Sequence, residues 1–313
     1  MPADEFEIIR TLFAPLATHA GARGLDDDAA VLESVGRLVI TTDAIVEGVH
    51  FLPDDPIDTI AKKALRVNLS DLAAKGAKPT AALLTLIWPH HRPAAQIADF
   101  ARGLGEDLRR YDVALIGGDT TATPGPLTIS ITAFGEPMGG RTPSRADARP
   151  GEDVWLTGPI GDAYLGLMAL REGAHEQAEL IARYRLPNPR VDCAGLVAEC
   201  ARAAMDVSDG LVIDAGKLAR ASNAGTRLEL ERVPISPAAR SWMEGRAAAI
   251  DLVSGGDDYE ILFTASPNER AKLESAGMYR IGNIAEGSEA VLVDANGRRL
   301  EPAHSGHVHK LGN

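Results

Sequence analysis

The chain has 313 residues, 45% of them hydrophobic but only 4% aromatic, and a formal net charge of −12 from 44 acidic against 32 basic residues. That length exceeds one typical core and predicts two domains, with alanine, valine and leucine packing helices on sheets. So acidic a surface repels nucleic acid and anionic membrane, which excludes both as expected partners, and it repels an anionic substrate too unless metal ions intervene.

The opening Met1-Pro-Ala-Asp-Glu-Phe-Glu7 lacks the basic flank and apolar core of a signal peptide, and nowhere are there 18 consecutive apolar residues. A cytoplasmic protein is therefore expected. Cys193 and Cys200 share one face of a predicted helix but lie about 10 Å apart along its axis, too far for a disulfide, so two buried thiols are expected.

Phe6, Ile9, Leu12, Phe13 and Leu16 fall at helical spacing and predict an amphipathic helix from Glu5 to Ala20. Leu25-Asp-Asp-Asp28 follows, then a short strand, Ala29 to Leu32. Neighbouring side chains in extended chain point to opposite sides, so at most two of the three aspartates can serve one site. A strand from Leu38 runs into Thr41-Thr42-Asp43, and a loop then carries Glu47 and His50. Asp58 or Thr59 can cap a long helix to Lys75, with Gly76 and Pro79 as its stop. On that helix Asp71 is spaced for an exposed pair with Lys75, yet Leu69, Leu72, Ala73 and Ala74 around it suggest partial burial.

Leu83 to Ile87 reads as a strand, Pro93 to Arg110 as a helix, and Val113 to Ile116 as a buried strand delivering Gly117-Gly118-Asp119 to a rim. Thr128 to Phe134 alternates as a sheet strand should. Glu136 to Asp153, rich in Gly, Pro and Arg, including Arg145, marks a domain boundary, with domains expected over 1–138 and 149–313. Beyond it come a strand Val154 to Thr157, a helix from Asp162 and the helix bearing the cysteines. Asp206-Val-Ser-Asp209 then precedes Gly210 and a helix ending near Gly225, with Ser208 or Asp209 placed as its N-cap or as a phosphate-binding terminus. Arg227 to Glu231 alternates as a strand and Ser236-Pro237 starts a helix. Ile250 to Val253 enters Ser254-Gly-Gly-Asp-Asp258 as another strand end, a strand Tyr259 to Thr264 follows, Ser266-Pro267 caps another helix, and Asn296-Gly297 predicts a hairpin.

No P-loop, dinucleotide fingerprint, GxSxG elbow or HExxH occurs in the sequence. What recurs is the hard oxygen ligand: Asp28, Thr42, Asp43, Asp71, Asp119, Asp206 and Asp209, the donor type that magnesium takes with water and substrate phosphate. Two like charges 4 Å apart cost about 4 kcal/mol at an effective dielectric of 20, so carboxylates facing a polyphosphate require dications. The apolar segments running into these acids predict one acidic site on which the strand ends and Asp71 converge.

The ordered set Asp27-Asp28, Thr41-Thr42-Asp43, Asn68-Leu-Ser-Asp-Leu-Ala-Ala74, Ile116-Gly-Gly-Asp-Thr-Thr121, Asp206-Val-Ser-Asp-Gly210 and Ser254-Gly-Gly-Asp-Asp-Tyr-Glu260 resembles the thiamine-monophosphate kinases. That family shares a superfamily with aminoimidazole ribonucleotide synthetase and selenophosphate synthetase. The resemblance implies a two-domain α/β (α+β) fold, in which an N-terminal mixed sheet pairs across a homodimer and a C-terminal α+β domain completes the active-site cleft. It implies magnesium-dependent transfer of the ATP γ-phosphoryl group to thiamine monophosphate, with several Mg2+ ions. Matched by position, the metal ligands implied are Asp28, Thr41, Thr42, Asp43, Asp71, Asp119, Asp206 and Asp209. Nucleotide contacts are Gly118, Asp119, Arg145 and Ser208; substrate contacts are His50, Asp257 and His304; Asp43, Asp71, Asp119 and Arg145 are the catalytic set. The chain departs from the family pattern at Asp26, where a glycine is usual, at Asp257, where Glu is common, and near the C-terminus, where histidines replace an aromatic ring. A sister ATP-using enzyme and a non-catalytic metal or nucleotide binder stand as the alternative readings.

Overall fold

A computed structural model describes residues 5–25, 30, 32, 36–244, 248–302 and 306. The chain divides into two compact units: residues 1–72 with 77–137, and residues 73–76 with 138–313.

In the first unit, α1 (Glu5–Ile8) continues as a π turn over Ile9–Phe13 and a 3-10 turn over Ala14–Leu16. The expected helix to Ala20 thus stops early, because Pro15 has no N–H to donate. Phe13 is buried, edge-on to Phe100. Four strands form one mixed sheet in the order β1-β4-β2-β3: β1 (Val39–Val46), β2 (Ala77–Pro89), β3 (Ala114–Thr123) and β4 (Thr128–Pro137). β4 pairs antiparallel with β1 and β2, while β2 and β3 run parallel. Pro79 does not end the preceding helix; it lies inside β2, where the register with β4 shifts. Helix α2 (Ile57–Ala74) and helix α3 (Gln96–Tyr111) cross closely enough that a Cβ on Gly103 would sit 2.4 Å from the Asp58 carbonyl oxygen. A buried ion pair joins them, Arg66 gripping both oxygens of Asp107 at 2.5 and 3.0 Å.

The second unit carries a seven-stranded sheet, β11-β10-β7-β9-β5-β8-β6. Its strands are β5 (Asp153–Leu156), β6 (Ala204–Asp206), β7 (Gly225–Glu229), β8 (Ile261–Ala265), β9 (Tyr279–Ala285), β10 (Ala290–Val293) and β11 (Arg299–Leu300). β7 and β10 are parallel and the other pairs antiparallel, and β10 and β11 make the hairpin expected at Asn296-Gly297. The helices are α4 (Asp162–Glu172), α5 (Ala178–Arg185), α6 (Ala194–Cys200), α7 (Leu211–Ser222), α8 (Pro237–Met243), α9 (Ala249–Leu252) and α10 (Arg270–Ser275). Ser236 caps α8 by accepting from Ala239 N at 3.0 Å. Residues 249–252, expected as a strand end, form a helical turn instead, whose N-terminal Ala248 N–H donates to the Asp251 carboxylate at 2.9 Å. Val154, Leu156, Met205, Val207, Leu211 and Leu262 fill one core of this unit, and Trp155, Phe263 and both cysteines belong to a second. Cys193 and Cys200 are free and buried.

Candidate active site

The first unit places its acidic groups by strand register. β1 does not end at Asp43, nor β3 at Ile116: both continue, because β4 pairs with β1 through to Val46 and β2, past an irregularity in register at Ile116, pairs with β3 from Gly117 to Thr123. Alternation along β1 then sends Thr41 and Asp43 to one face and Thr42 to the other. Thr41 Oγ1 donates to Asp71 Oδ2 on α2 at 2.5 Å, and the Asp43 N–H donates to Asn68 Oδ1 at 3.0 Å. Asn68 is fully buried and in turn donates to the Ala64 carbonyl at 3.0 Å, so one α2 residue fixes the backbone of the edge strand. The exposed i,i+4 pair between Asp71 and Lys75 does not form; Lys75 Nζ donates to the Ala204 carbonyl at 2.5 Å. On the opposite face, Thr132 Oγ1 donates to Thr42 Oγ1 at 3.1 Å.

Asp119 sits beside Thr85 in the β2–β3 ladder, on the Thr42 face, at the rim of a cavity of about 640 Å³ with an apolar floor that includes Phe13, Leu83, Ile116 and Phe134. Since β1 and β3 are the two edges of the sheet, Asp43 and Asp119 stand three strand spacings apart, about 14 Å. Gly118 has a packing reason of its own: a Cβ there would lie 1.9 Å from the Leu84 carbonyl oxygen. His50 accepts from the Val46 N–H through Nδ1 at 3.0 Å, and its carbonyl accepts from the buried Lys63 at 2.9 Å, so the loop that carries it is fixed from both sides.

In the second unit two motifs far apart in sequence are hydrogen-bonded together. Val207 N donates to the Glu260 carbonyl, Tyr259 N to the Val207 carbonyl and Asp257 N to the Ser208 carbonyl, each at 2.8 Å. A Cβ on Gly256 would meet the Ser208 carbonyl oxygen at 2.5 Å, which is why glycine precedes Asp257. Asp257 and Tyr259 themselves hold left-handed backbones, φ 70° and 53°, and Tyr259 OH donates to Asp257 Oδ1 at 3.3 Å. Behind this loop Asp258 accepts from the Gly161 N–H with both oxygens, at 2.9 and 3.0 Å. Burial pushes the Asp258 carboxyl well above the usual carboxylate range, with the Asp162 and Glu260 charges adding and the Gly161 and Ala163 N–H groups opposing. Glu260 is also raised by burial, against the pull of Arg190 at 3.3 Å and the Thr157 hydroxyl.

Neither Ser208 nor Asp209 caps α7. Gly210 holds the N-cap position, and the N–H groups of Ser208, Asp209 and Gly210 all donate to Asp214 Oδ2, at 3.0, 3.0 and 3.2 Å. Lys217 pairs with the Asp209 carboxylate and, at 2.6 Å, with Asp214 Oδ1. Burial lifts the Asp214 carboxyl, opposed by Lys217; for Lys217 burial is the largest single effect and lowers it, but Asp209 and Asp214 together raise it above its ordinary value. Asp214 is the residue that motif reading missed. Its signal was an acidic side chain in the first turn of a helix.

The structure brings together Thr41 with Asp71, Thr42 with Thr132, and the Asp206–Gly210 loop with Asp257. It does not bring Arg145 to Ser208: the Arg145 carbonyl is bound by Ser222 Oγ at 2.7 Å, at the far end of α7, a helix of 12 residues and so about 18 Å long. Among the described residues, no three His, Cys, Asp or Glu side chains gather into a group that holds a metal. Asp28 and His304 lie outside the described residues, as do Ala29 and Val31 of the strand expected over Ala29 to Leu32, whose described residues Ala30 and Leu32 are not in a strand. A Cβ on Gly306 would lie 2.7 Å from the Asp209 carbonyl oxygen, which puts one point of the C-terminal segment at this loop. Among the described residues no helix is long and apolar enough to cross a membrane.

Two domain models cover the chain, AIR synthase related protein, N-terminal domain, over residues 26–136 and AIR synthase related protein, C-terminal domain, over residues 149–309. Fold and site together thus define a two-domain AIR synthase related protein. A thiamine-monophosphate kinase of Caulobacter vibrioides is 43% identical over 98% of this chain and 91% of its own. The crystal structure of the thiamine-monophosphate kinase of Stenotrophomonas maltophilia is 38% identical, with a TM-score of 0.78 over 85% of this chain and 89% of that one. A structure of AaThiL complexed with AMPPCP and TMP is 30% identical, with a TM-score of 0.80 over 97% of both chains. The chain belongs to the thiamine-monophosphate kinase family.

Proposed function

We propose that this protein is an ATP-dependent thiamine-monophosphate kinase, which transfers the γ-phosphoryl group of ATP to thiamine monophosphate and yields thiamine diphosphate and ADP. The observation that carries this is the near full-length identity to a kinase of that name, joined to a complete set of acidic motifs. The acceptor is itself a phosphate whose second pKa is about 6, so it is already dianionic at neutral pH and needs no general base. The chemistry left to the protein is to hold two anions in line.

The donor set fits magnesium: Thr41, Asp43 and Asp71 in the first unit and Asp206 and Asp209 in the second offer only oxygen, which suits a hard cation that keeps water and phosphate in its shell. We assign that role to Asp28, Thr41, Thr42, Asp43, Asp71, Asp119, Asp206 and Asp209. Bound there, magnesium supplies charge neutralisation along the phosphates. We assign Gly118, Asp119, Arg145 and Ser208 to the nucleotide, and His50, Asp257 and His304 to the thiamine phosphate. Arg145 is exposed and its carbonyl accepts from Ser222 Oγ, which leaves the guanidinium to carry the phosphate contact in this reading. The homodimer is part of the same proposal, supported by Ile40, 58% exposed on edge strand β1. A cytoplasmic setting accords with the two buried free cysteines.

The test is an end-point assay of purified, metal-stripped protein with ATP and thiamine monophosphate, with thiamine diphosphate separated by chromatography. Product is expected with magnesium and absent without it. ATP binding with no product under any divalent ion overturns the reading in favour of a sister enzyme or a sensor.

A further inference from the structure

We propose that Asp214 is a positioning residue, one that sets the backbone of the Asp206–Gly210 loop and, through it, the direction of the Asp209 carboxylate. The role in catalysis rests on the kinase reading above; the anchoring itself rests on geometry alone.

Three successive N–H groups, of Ser208, Asp209 and Gly210, converge on one oxygen of a side chain that is 0% exposed. A run of N–H groups ahead of a helix is ordinarily a concave site for an anion, such as a phosphate. Here the chain's own carboxylate fills it. The amides are consumed, so this loop offers a ligand its side chains and not its backbone donors, contrary to what a helix N-terminus behind Asp-Val-Ser-Asp suggests.

The carbonyl side of the same peptides is also taken. In the 207–208 peptide, the Val207 carbonyl accepts from Tyr259 N at 2.8 Å while the Ser208 N–H donates to Asp214. In the 208–209 peptide, the Ser208 carbonyl accepts from Asp257 N at 2.8 Å while the Asp209 N–H donates to Asp214. Both peptide planes are therefore pinned at both ends, and the Cα–Cβ direction of Asp209 follows from them. Lys217 completes the arrangement by bonding the second Asp214 oxygen and the Asp209 carboxylate at once. Asp214 touches no reacting group in this scheme; it acts through Asp209.

The test compares the whole chain with Asp214→Ala and Asp214→Asn. Amide hydrogen exchange of the metal-free, nucleotide-free protein reports the anchor directly. In the wild type the amides of 208–210 are expected to be protected, and in Asp214→Ala to exchange about tenfold faster or more. Asparagine keeps an acceptor oxygen, so Asp214→Asn is expected to retain most of the protection. In the kinase assay the alanine variant is expected to need about 10- to 100-fold more magnesium for half-maximal rate, with the KM for thiamine monophosphate unchanged. A folded alanine variant with wild-type exchange and wild-type magnesium dependence overturns the inference. So do unprotected 208–210 amides in the wild type, a result that decides the matter even if the alanine variant fails to fold. A wild type that makes no thiamine diphosphate overturns the functional reading instead, and the exchange data still decide the anchor.

Discussion

Asp43 and Asp71 reach the same edge of the first unit by different routes, one by strand alternation and one from a helix, and Thr41 joins them through its bond to Asp71. Neither carboxylate is buried enough to carry the fold. Asp43 is exposed and Asp71 half-buried, and asparagine keeps an acceptor for Thr41. Asp43→Asn and Asp71→Asn are each expected to lower thiamine diphosphate formation by about 10²–10³-fold, the equivalent of several kcal/mol of lost charge neutralisation, and to leave unfolding within about 0.5 kcal/mol of wild type. Turnover and thermal melts measured side by side check this, and a fully active variant removes the residue from the metal set. At this scale the sequence was informative about identity and silent about direction. That Thr42 faces away from Asp43, and that Gly118 is needed to clear the Leu84 carbonyl, follow from the ladder and from a close approach that spacing does not reveal.

Elements owe their limits to their partners as much as to their own residues. Ser236-Pro237 and Asn296-Gly297 act locally, so the α8 start and the β10–β11 hairpin were legible. The reach of β1 and β3 was not, because backbone groups of glycine, threonine and aspartate become strand only when a neighbouring strand pairs with them. The α7 start was misread for a related reason: its cap is not the serine or aspartate before it but an aspartate folding back from inside. Between α2 and α3, Arg66 and Asp107 are paired with side chains 8% and 3% exposed. Removing one partner strands a buried charge, so Asp107→Ala is expected to destabilise the protein by about 3–5 kcal/mol, seen as an earlier denaturant midpoint. A loss under 1 kcal/mol contradicts that pairing as a structural tie.

For the whole molecule, the two edges of the first unit's sheet separate Asp43 from Asp119 by about 14 Å, and Ile40 is exposed on edge strand β1. The proposed homodimer predicts that sedimentation equilibrium finds twice the 33.1 kDa chain mass at micromolar concentration, and that Ile40→Lys shifts it toward the monomer. A wild type that stays monomeric throughout defeats the dimer reading. By itself the sequence determined the family and carried the expectations of two domains, of hard-oxygen donors and of two buried thiols, since each depends on residue identity and order along the chain. Only the tertiary structure decided which face of a strand each acid takes, that Asp214 holds the Asp206–Gly210 loop, that this loop is bonded to Asp257, and that Arg145 is tied to the other end of α7. The faces depend on a register of pairing, and the ties to Asp257 and of Arg145 on hydrogen bonds between residues tens of positions apart. The Asp214 anchor is local in sequence but needs a side chain inside α7 to fold back onto the loop, and none of these is encoded in the spacing of a motif.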